Sequence, residues 1–400
     1  MYKYQRQIFL IASCLLGILV GQVHAGSFYS SKGIGLVRYF INGRSAGMGG
    51  VGLALADVYA VNYLNPASMV ALPLTTLSGS FLHEATDLKN STQDAFITDT
   101  NVYAFQFAVP LKLNRAVLAL GVNPYSSIEF SFVGRDTSGV KSYSEIVSGD
   151  GGVNTGFVTL AIRPYKNLYV GVTGLYYFGT LRNIWRVIFD SMQFTNTQDE
   201  VTCSFTAGSV RFGLLYTILP GWSMGGVFSP RLNIDANQSI TLQRTTEFTD
   251  FPDSSIIIPL SYGIGTALQL GKFTLGVDYY TQKWSDFGED GFVNDSRRIA
   301  LGFEFFPKGT PRDSYFSRVS YRAGFFYHDL GLVEANGEKV TEMFGSLGLG
   351  LPIKWGAAKL DLSLEIGRRG SLSSNTFRET VIRVMGSVTV AEKWFLSGGR

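Results

Sequence analysis

Any chemistry done by this sequence would have to come from very few side chains. Of its three histidines and two cysteines, His24 and Cys14 fall within the first 25 residues, which leaves His83, His328 and Cys203. General acid–base work needs a group titrating near neutrality within reach of its partner. His83 and His328 are far apart in the chain, and neither accompanies a Gly-x-Ser-x-Gly turn. A serine–histidine phospholipase is the enzyme reading that remains, and no motif supports it. No grouping of His, Cys, Asp and Glu has metal-ligand spacing. Asp150-Gly151-Gly152, in a polar stretch, reads as a simple turn before it reads as a calcium loop. The expectation is a protein that is not an enzyme, with no cofactor and no metal.

The charged residues are more informative, because many alternate with oily ones. In Lys272 to Gln282, Phe273, Leu275, Val277 and Tyr279 share one face while Lys272, Thr274, Gly276 and Asp278 share the other. Lys359 to Ile366 and Ile299 to Phe305 repeat the pattern. Alternation therefore places Arg211, Lys272, Asp278, Glu304, Arg322, Lys359, Asp361, Glu365 and Arg383 on a polar inner face. There they either pair across a lumen or line a path; Arg211, Lys272, Arg322, Lys359 and Arg383 would suit a transported carboxylate.

These strands need a setting, and the start of the chain supplies it. Lys3 and Arg6 precede an apolar core from Ile8 to Val20, and Val23-His24-Ala25 offers a cleavage site, so residues 1–25 read as a signal peptide cut after Ala25. That core is shorter than the ~20 residues of a membrane-spanning helix. Once the leader is gone, Cys203 stands alone and no intrachain disulfide can form. Removing Lys3 and Arg6 from 34 basic residues leaves 32 against 31 acids, a net charge of +1 that argues against nucleic acid as a partner. Charged residues are 16% and aromatics 14%, with 46 glycines. An exported, oily chain without spanning helices satisfies its backbone in lipid by closing a barrel.

A secreted sandwich would also alternate, so the connections decide. About fourteen strands can be read between Leu72 and Val390, an even number. Short turns at Lys112-Leu113-Asn114, Pro164-Tyr165-Lys166, Leu219-Pro220, Gly271 and Ile353 to Gly356, with a somewhat longer one at Pro307 to Ser317, alternate with long polar stretches. The long stretches are Glu84 to Thr100, Pro124 to Val153, Arg182 to Cys203, Ile234 to Ile256, Ser285 to Ser296, Asp329 to Lys339 and Arg368 to Phe377. Turns at one end and loops at the other are expected of an outer-membrane barrel, whereas a Greek-key sandwich has no such parity. Trp222 and Trp355 beside turns, and Trp284, Tyr176-Tyr177, Tyr279-Tyr280 and Phe325-Phe326-Tyr327 toward the loops, suit two interfacial girdles. The expected architecture is all-β: a signal peptide at 1–25, a plug at 26–71 and a transmembrane barrel at 72–400.

The plug expectation rests on Gly43 to Met69, GRSAGMGGVGLALADVYAVNYLNPASM, which is rich in glycine yet too apolar at Val51, Leu53, Leu55, Val58, Val61 and Leu64 for a free tail. Ser30-Ser31-Lys32-Gly33-Ile34-Gly35, Arg44-Ser45-Ala46-Gly47-Met48-Gly49-Gly50, Ala54-Leu55-Ala56-Asp57 and Tyr63-Leu64-Asn65-Pro66-Ala67 together resemble the N-terminal signature of the FadL outer-membrane family, transporters of long-chain fatty acids and aromatic hydrocarbons. The resemblance implies a fourteen-stranded barrel with an N-terminal hatch, to which Gly47, Gly49, Gly50, Asp57, Asn65 and Pro66 correspond. It also implies a lateral exit at a kink in the third strand, here Ala116 to Val122 followed by Asn123-Pro124, so that Gly121, Asn123 and Pro124 would mark the gate. Pro124 equally suits a strand that ends and gives way to a loop.

This chain departs from the family in continuing Asn-Pro-Ala with Ser68-Met69, and it does not end on the aromatic that many barrels offer to the insertion machinery. The expected function is passage of a small apolar molecule past the lipopolysaccharide layer into outer-membrane lipid, by a monomer, without bound nucleotide. Some proteins similar to this family serve protein secretion at the cell surface, and that is the alternative.

Overall fold

The computed structural model describes residues 26–39, 42–91, 94–136, 142–191, 193–242, 254–287, 293–307, 312–353 and 358–393. The leader at 1–25, Trp355 and Trp394-Phe395 lie outside the described residues. Fourteen antiparallel strands form the wall. They are β1 (Thr75–Lys89), β2 (Asp94–Lys112), β3 (Ala116–Asp136), β4 (Tyr143–Tyr165), β5 (Leu168–Phe189), β6 (Thr197–Leu219), β7 (Trp222–Ser229 and Leu232–Leu242), β8 (Ser254–Ile258 and Ser261–Leu270), β9 (Phe273–Gln282), β10 (Ser296–Phe305), β11 (Ser320–Val333), β12 (Lys339–Ile353), β13 (Ala358–Arg369) and β14 (Arg378–Glu392). β7 and β8 are each interrupted at a proline, Pro230 and Pro259, which cannot donate to the ladder. β14 pairs with β1 from Arg378 opposite Lys89 to Glu392 opposite Thr75, which closes the cylinder.

Strand alternation sorts the side chains. Phe273, Leu275 and Val277 on β9 and Ile299, Leu301 and Phe303 on β10 are exposed on the outer face, while Asp278 and Glu304 between them are buried inside. The aromatic pairs divide the same way: Tyr176 and Phe325 point out, but Tyr177 and Phe326 are buried within the bore. Trp284 is also buried, under the loops rather than in an outer girdle, because it sits in a one-turn helix, Trp284–Phe287, that folds over the mouth.

Most of the stretches expected to be long loops prove to be largely strand. β3 to β6 contain 21, 23, 22 and 23 residues, whereas β9 and β10 contain 10 each. A lipid crossing needs only ~9–11, so one side of the wall rises well beyond the membrane. Above the lipid the outer face meets water while inward residues such as Ile128 and Phe130 stay buried, so the outward oily half of the alternation fades while backbone pairing continues. Pro124 to Val153 and Arg182 to Cys203 read as loops for that reason. Asp150-Gly151-Gly152 accordingly lies within β4 rather than in a loop, its two glycines at φ 120° and 151°.

Candidate functional site: the filled bore and the seam in its wall

Residues between Asn42 and Ala71 run through the bore as a cork. A short helix, Gly43–Gly47, is capped by Asn42, whose side chain accepts from Ser45 N at 2.9 Å; a 3-10 turn, Pro66–Ala71, is capped by Asn65. Met48, Val51, Ala54, Leu55 and Ala67 pack against wall residues Leu215, Ala267, Ala300, Phe326 and Phe344. At about 1.5–3 kcal/mol for each fully buried large apolar side chain, this contact is a substantial part of cork stability.

The cork backbone approaches the wall so closely that inward wall positions must be glycine. A Cβ at Gly225 would collide with the Leu53 carbonyl, and one at Gly324 with the Gly49 nitrogen. Gly49 itself has φ 65° and Gly50 φ 77°, left-handed conformations that glycine adopts without penalty. Gly47 faces Gly348, and Pro66 sits against Gly171 and Gly213.

Charge holds the cork as well. Arg44 bridges Asp57 at 2.9 Å and Glu304 at 2.7 Å, and Arg322 joins Glu304 at 2.7 Å to Asp361 at 2.6 Å. Lys359 adds a contact to Asp361 at 3.2 Å. Asp278 accepts the Gly52 and Leu53 N–H groups at 2.7 and 2.8 Å. Asn65 Nδ2 donates to the Leu53 carbonyl of the cork and the Leu214 carbonyl of the wall, and Arg211 donates to the Tyr63 carbonyl at 3.2 Å. Arg383 reaches Glu84 at 2.7 Å and Glu365 at 3.6 Å. Eight of the nine residues expected inside are thus buried there. Lys272 is not: it is exposed in the turn between β8 and β9, where Gly271 at φ 62° reverses the chain before the alternation of β9 begins.

Several polar residues of the interior escaped the sequence reading. Arg38 pairs with Glu84 at 3.0 Å, Arg369 joins Glu342 at 2.9 Å to Glu379 at 2.6 Å, and Arg298 donates to the Gly49 carbonyl. Their parity on β10, β12, β13 and β14 was available. So was the recurrence of glycine at inward positions of β5 to β12.

The ladder between β2 and β3 is incomplete. β2 and β3 pair from Lys112 opposite Ala116 up to Phe105 opposite Val122, and no further. β2 continues alongside β1 to Asp94, and β3 continues alongside β4 to Asp136. The third strand therefore does not end at Pro124; it runs on with a register shift between Pro124 and Ser126. Asn123 is buried, accepting from Gln106 at 2.9 Å, and a Cβ at Gly121 would crowd the Phe105 carbonyl and the Phe157 ring. Val102 on the facing edge of β2 is 90% exposed, which marks an uncovered seam.

From inside, the seam is closed by residues 26–39, which form a strap. Leu36–Val37 pairs antiparallel with Ser127 and Ser126, and Arg38 N donates to the Tyr125 carbonyl at 2.9 Å. Ser30 Oγ donates to the Glu129 carbonyl at 2.8 Å and accepts from Glu129 N at 3.1 Å. Gly35, at φ 87°, lies where a Cβ would meet the Ser127 carbonyl.

On its other side the strap lines an apolar cavity of about 410 Å³, with Phe28, Ile34, Leu36 and Val37 facing Trp284, Val293, Leu330, Leu332 and Val340. Beside Trp284, in the loop, burial of Asp295 opposes its ionisation; the Lys283 ammonium together with the Ser285 hydroxyl and N–H outweighs this and holds its carboxyl below the usual range. A second, more polar cavity of about 500 Å³ opens at the turn end, around Asp57, Tyr59, Arg163, Gln269 and Lys359. The cork separates the two.

The fold is similar to that of a FadL homologue from Pseudomonas aeruginosa, with TM-score 0.63 and 11% identity over 89% of this chain and 99% of that one. The Ralstonia pickettii toluene transporter TbuX gives 0.58 and 14% over 88% and 98%, and the P. putida toluene transporter TodX gives 0.57 and 13% over 89% and 99%. No curated protein matches the chain. At these identities the likeness is one of fold, that of a FadL-type outer-membrane β-barrel. The family model for BamG matches residues 1–398, and the chain belongs to the BamG family.

Proposed function

We propose that this barrel is an outer-membrane channel for small hydrophobic molecules, which enter the apolar cavity beneath the loops and leave sideways through the seam between β2 and β3. One observation carries the reading: among the described residues, 26–39 lie between that cavity and the gap in the wall above Val122. Moving this strap would open a path to lipid without disturbing the ion pairs of the cork, so an apolar solute would not cross water again. The structural relatives named for toluene transport support a passage of this kind. Leader cleavage after Ala25, insertion into lipid by the barrel-insertion machinery and action as a monomer belong to the same proposal.

Cross-linking tests it. In a Cys203→Ser background, Ser30→Cys with Glu129→Cys would be joined by a short reducible bismaleimide-type linker, tying the strap to β3. Transfer of an apolar probe into proteoliposomes should fall at least tenfold and return on cleavage of the linker. Unchanged transfer by the tied protein would overturn the route.

A second reading, service in cell-surface protein assembly or secretion, is favoured by the BamG family and by a bore corked with buried ion pairs. In that case depletion should strand surface proteins in the periplasm and leave uptake of apolar compounds unchanged. Copurification of a partner protein in stoichiometric amount would strengthen it.

A further inference from the structure

The chain without its leader is almost neutral, yet its cations are not spread evenly over the barrel. At the turn end, which faces the periplasm in barrels of this kind, the rim carries Lys112 and Arg115 between β2 and β3, Arg163 and Lys166 between β4 and β5, Lys272 between β8 and β9, and Arg312 between β10 and β11. Among the described residues of these turns, one acid stands against them, Asp313. β14 ends at the same level on Glu392 and Lys393, one of each sign. Lys112, Arg115, Lys166, Lys272 and Arg312 are all exposed.

This basic rim adjoins the lipid-facing wall. Phe273 and Phe305 stack with centroids 5.0 Å apart, and Phe305 stacks on Tyr321 at 6.4 Å, which makes an outward band of rings at the turn end. The Tyr321 hydroxyl donates to the Phe316 carbonyl at 3.3 Å, so the one-turn helix Tyr315–Arg318 hangs from that band with Phe316 74% exposed. Arg318 in the same turn lies over the Tyr315 ring at 5.4 Å. Lys272 directly precedes Phe273, and its carbonyl accepts from Phe306 N at 2.8 Å. Tyr165, between Arg163 and Lys166 in the chain, is 73% exposed. Rings this bare at the edge of a lipid-facing wall belong at headgroup depth, and the cations beside them are held at that depth too.

We propose that the rim is a binding surface for acidic phospholipid, phosphatidylglycerol or cardiolipin, in the inner leaflet of the outer membrane. Its phosphodiesters meet Lys112, Arg115, Lys166, Lys272 and Arg312 while Tyr165 and Phe316 enter the acyl boundary. The inference is independent of what passes through the bore and rests on the seating of the barrel in lipid. Charge selects the lipid: phosphatidylethanolamine brings its own ammonium to a rim already rich in cations, whereas phosphatidylglycerol brings net negative charge. Geometry favours lipid over an acidic protein, because the cations occupy four separate turns around the circumference and the rings beside them point outward. A protein docked from below would cover one arc and leave those rings bare.

A lipid competition tests this. The full-length protein is immobilised in dodecyl maltoside micelles carrying equal amounts of phosphatidylglycerol and phosphatidylethanolamine, washed, and its retained lipids are quantified by mass spectrometry. Phosphatidylglycerol should be retained roughly tenfold over phosphatidylethanolamine, and raising NaCl to about 0.5 M should cut that ratio severalfold. Lys112→Ser, Arg115→Ser, Lys166→Ser and Lys272→Ser combined should bring the ratio within about a factor of two of unity. Arg163 stays in place because its guanidinium donates to the Lys166 carbonyl and braces the turn. Lys89→Ser, Arg186→Ser, Arg231→Ser and Lys339→Ser, which remove the same charge from the loop end, should leave the ratio unchanged.

Equal retention of the two lipids by the unaltered protein overturns the inference and leaves the rim to an acidic protein or the cell wall. An undiminished ratio in the rim variant overturns it as well, as does an equal loss in the loop-end variant, which would make net charge alone the cause. Retention of neither lipid counts against the seating of the barrel itself. Should the rim variant fail to assemble, the salt series on the unaltered protein decides, and a ratio insensitive to salt overturns the proposal.

Discussion

Two stretches of one N-terminal segment meet the same barrel in different ways. From Asn42 to Ala71 the cork is held by buried ion pairs and by backbone pressed against wall glycines. From Gly26 to Tyr39 the strap is held by a two-residue strand, by serine hydroxyls, by Ser27 and Phe28 bonded to the buried Glu379 carboxylate, by the Tyr29 and Tyr39 hydroxyls donating to the wall, and by the Arg38–Glu84 pair. Charges locked in a low-dielectric interior are costly to separate, whereas short neutral hydrogen bonds exchange for water at little net expense. The strap makes the shorter backbone contact with the wall and carries one ion pair of its own, Arg38–Glu84, where the cork's Arg44 spans two carboxylates.

The strongest way to break this contrast is to strip the cork of its charge. Arg44→Ala leaves Asp57 and Glu304 without their shared partner and should lower stability by about 3–5 kcal/mol, read from denaturant unfolding of the folded band on a gel. A loss below 1 kcal/mol would mean that the ion pairs are not what holds the cork.

Next in size is Gly324→Val, which drives a side chain into the Gly49 backbone. Overpacking of this kind costs about 1–3 kcal/mol or more, and a displaced cork should raise ion conductance in planar bilayers. Stable protein with unchanged conductance would show that the wall can move aside.

The strap should behave otherwise. Gly35→Val, with its positive φ and its clash on the Ser127 carbonyl, should unseat the strap and increase transfer of apolar probes severalfold, yet change barrel stability by no more than about 1–2 kcal/mol. Barrel failure in this variant would erase the distinction between the two stretches.

Smallest is Ser30→Ala, which removes the hydroxyl bridging both backbone groups of Glu129. About 1 kcal/mol is expected, detectable as faster hydrogen exchange at residues 26–37 with no change at 43–53.

The alternation of Leu360, Leu362, Leu364 and Ile366 with Lys359, Asp361, Ser363 and Glu365 was enough to assign an outer and an inner face, because lipid on one side and a polar interior on the other impose a period of two. The inward placement of Arg211, Asp278, Glu304 and Arg322 follows from the same period. Height was less legible. Where β3 to β6 leave the lipid that period weakens, and 126–136 and 143–153 look like loop although their backbones are paired.

Partners across the bore were not legible at all. That Arg44 would meet Glu304, 260 positions away, or that Gly225 would face Leu53, depends on curvature and on how the segment threads the cylinder. Likewise Pro124 announced an irregularity in the third strand, but not that β2 and β3 part at Val122 while β3 runs on.

The order of oily and polar residues along each strand was sufficient to determine a closed wall with a polar inner face and an apolar N-terminal segment in need of shelter, since each is a local demand of lipid or water on its neighbours. Which charges neutralise one another, where the wall is left unpaired and which residues cover the gap were decided only when distant strands closed into a ring. Pairing and closure depend on distances through space, and those exist only once the chain has folded.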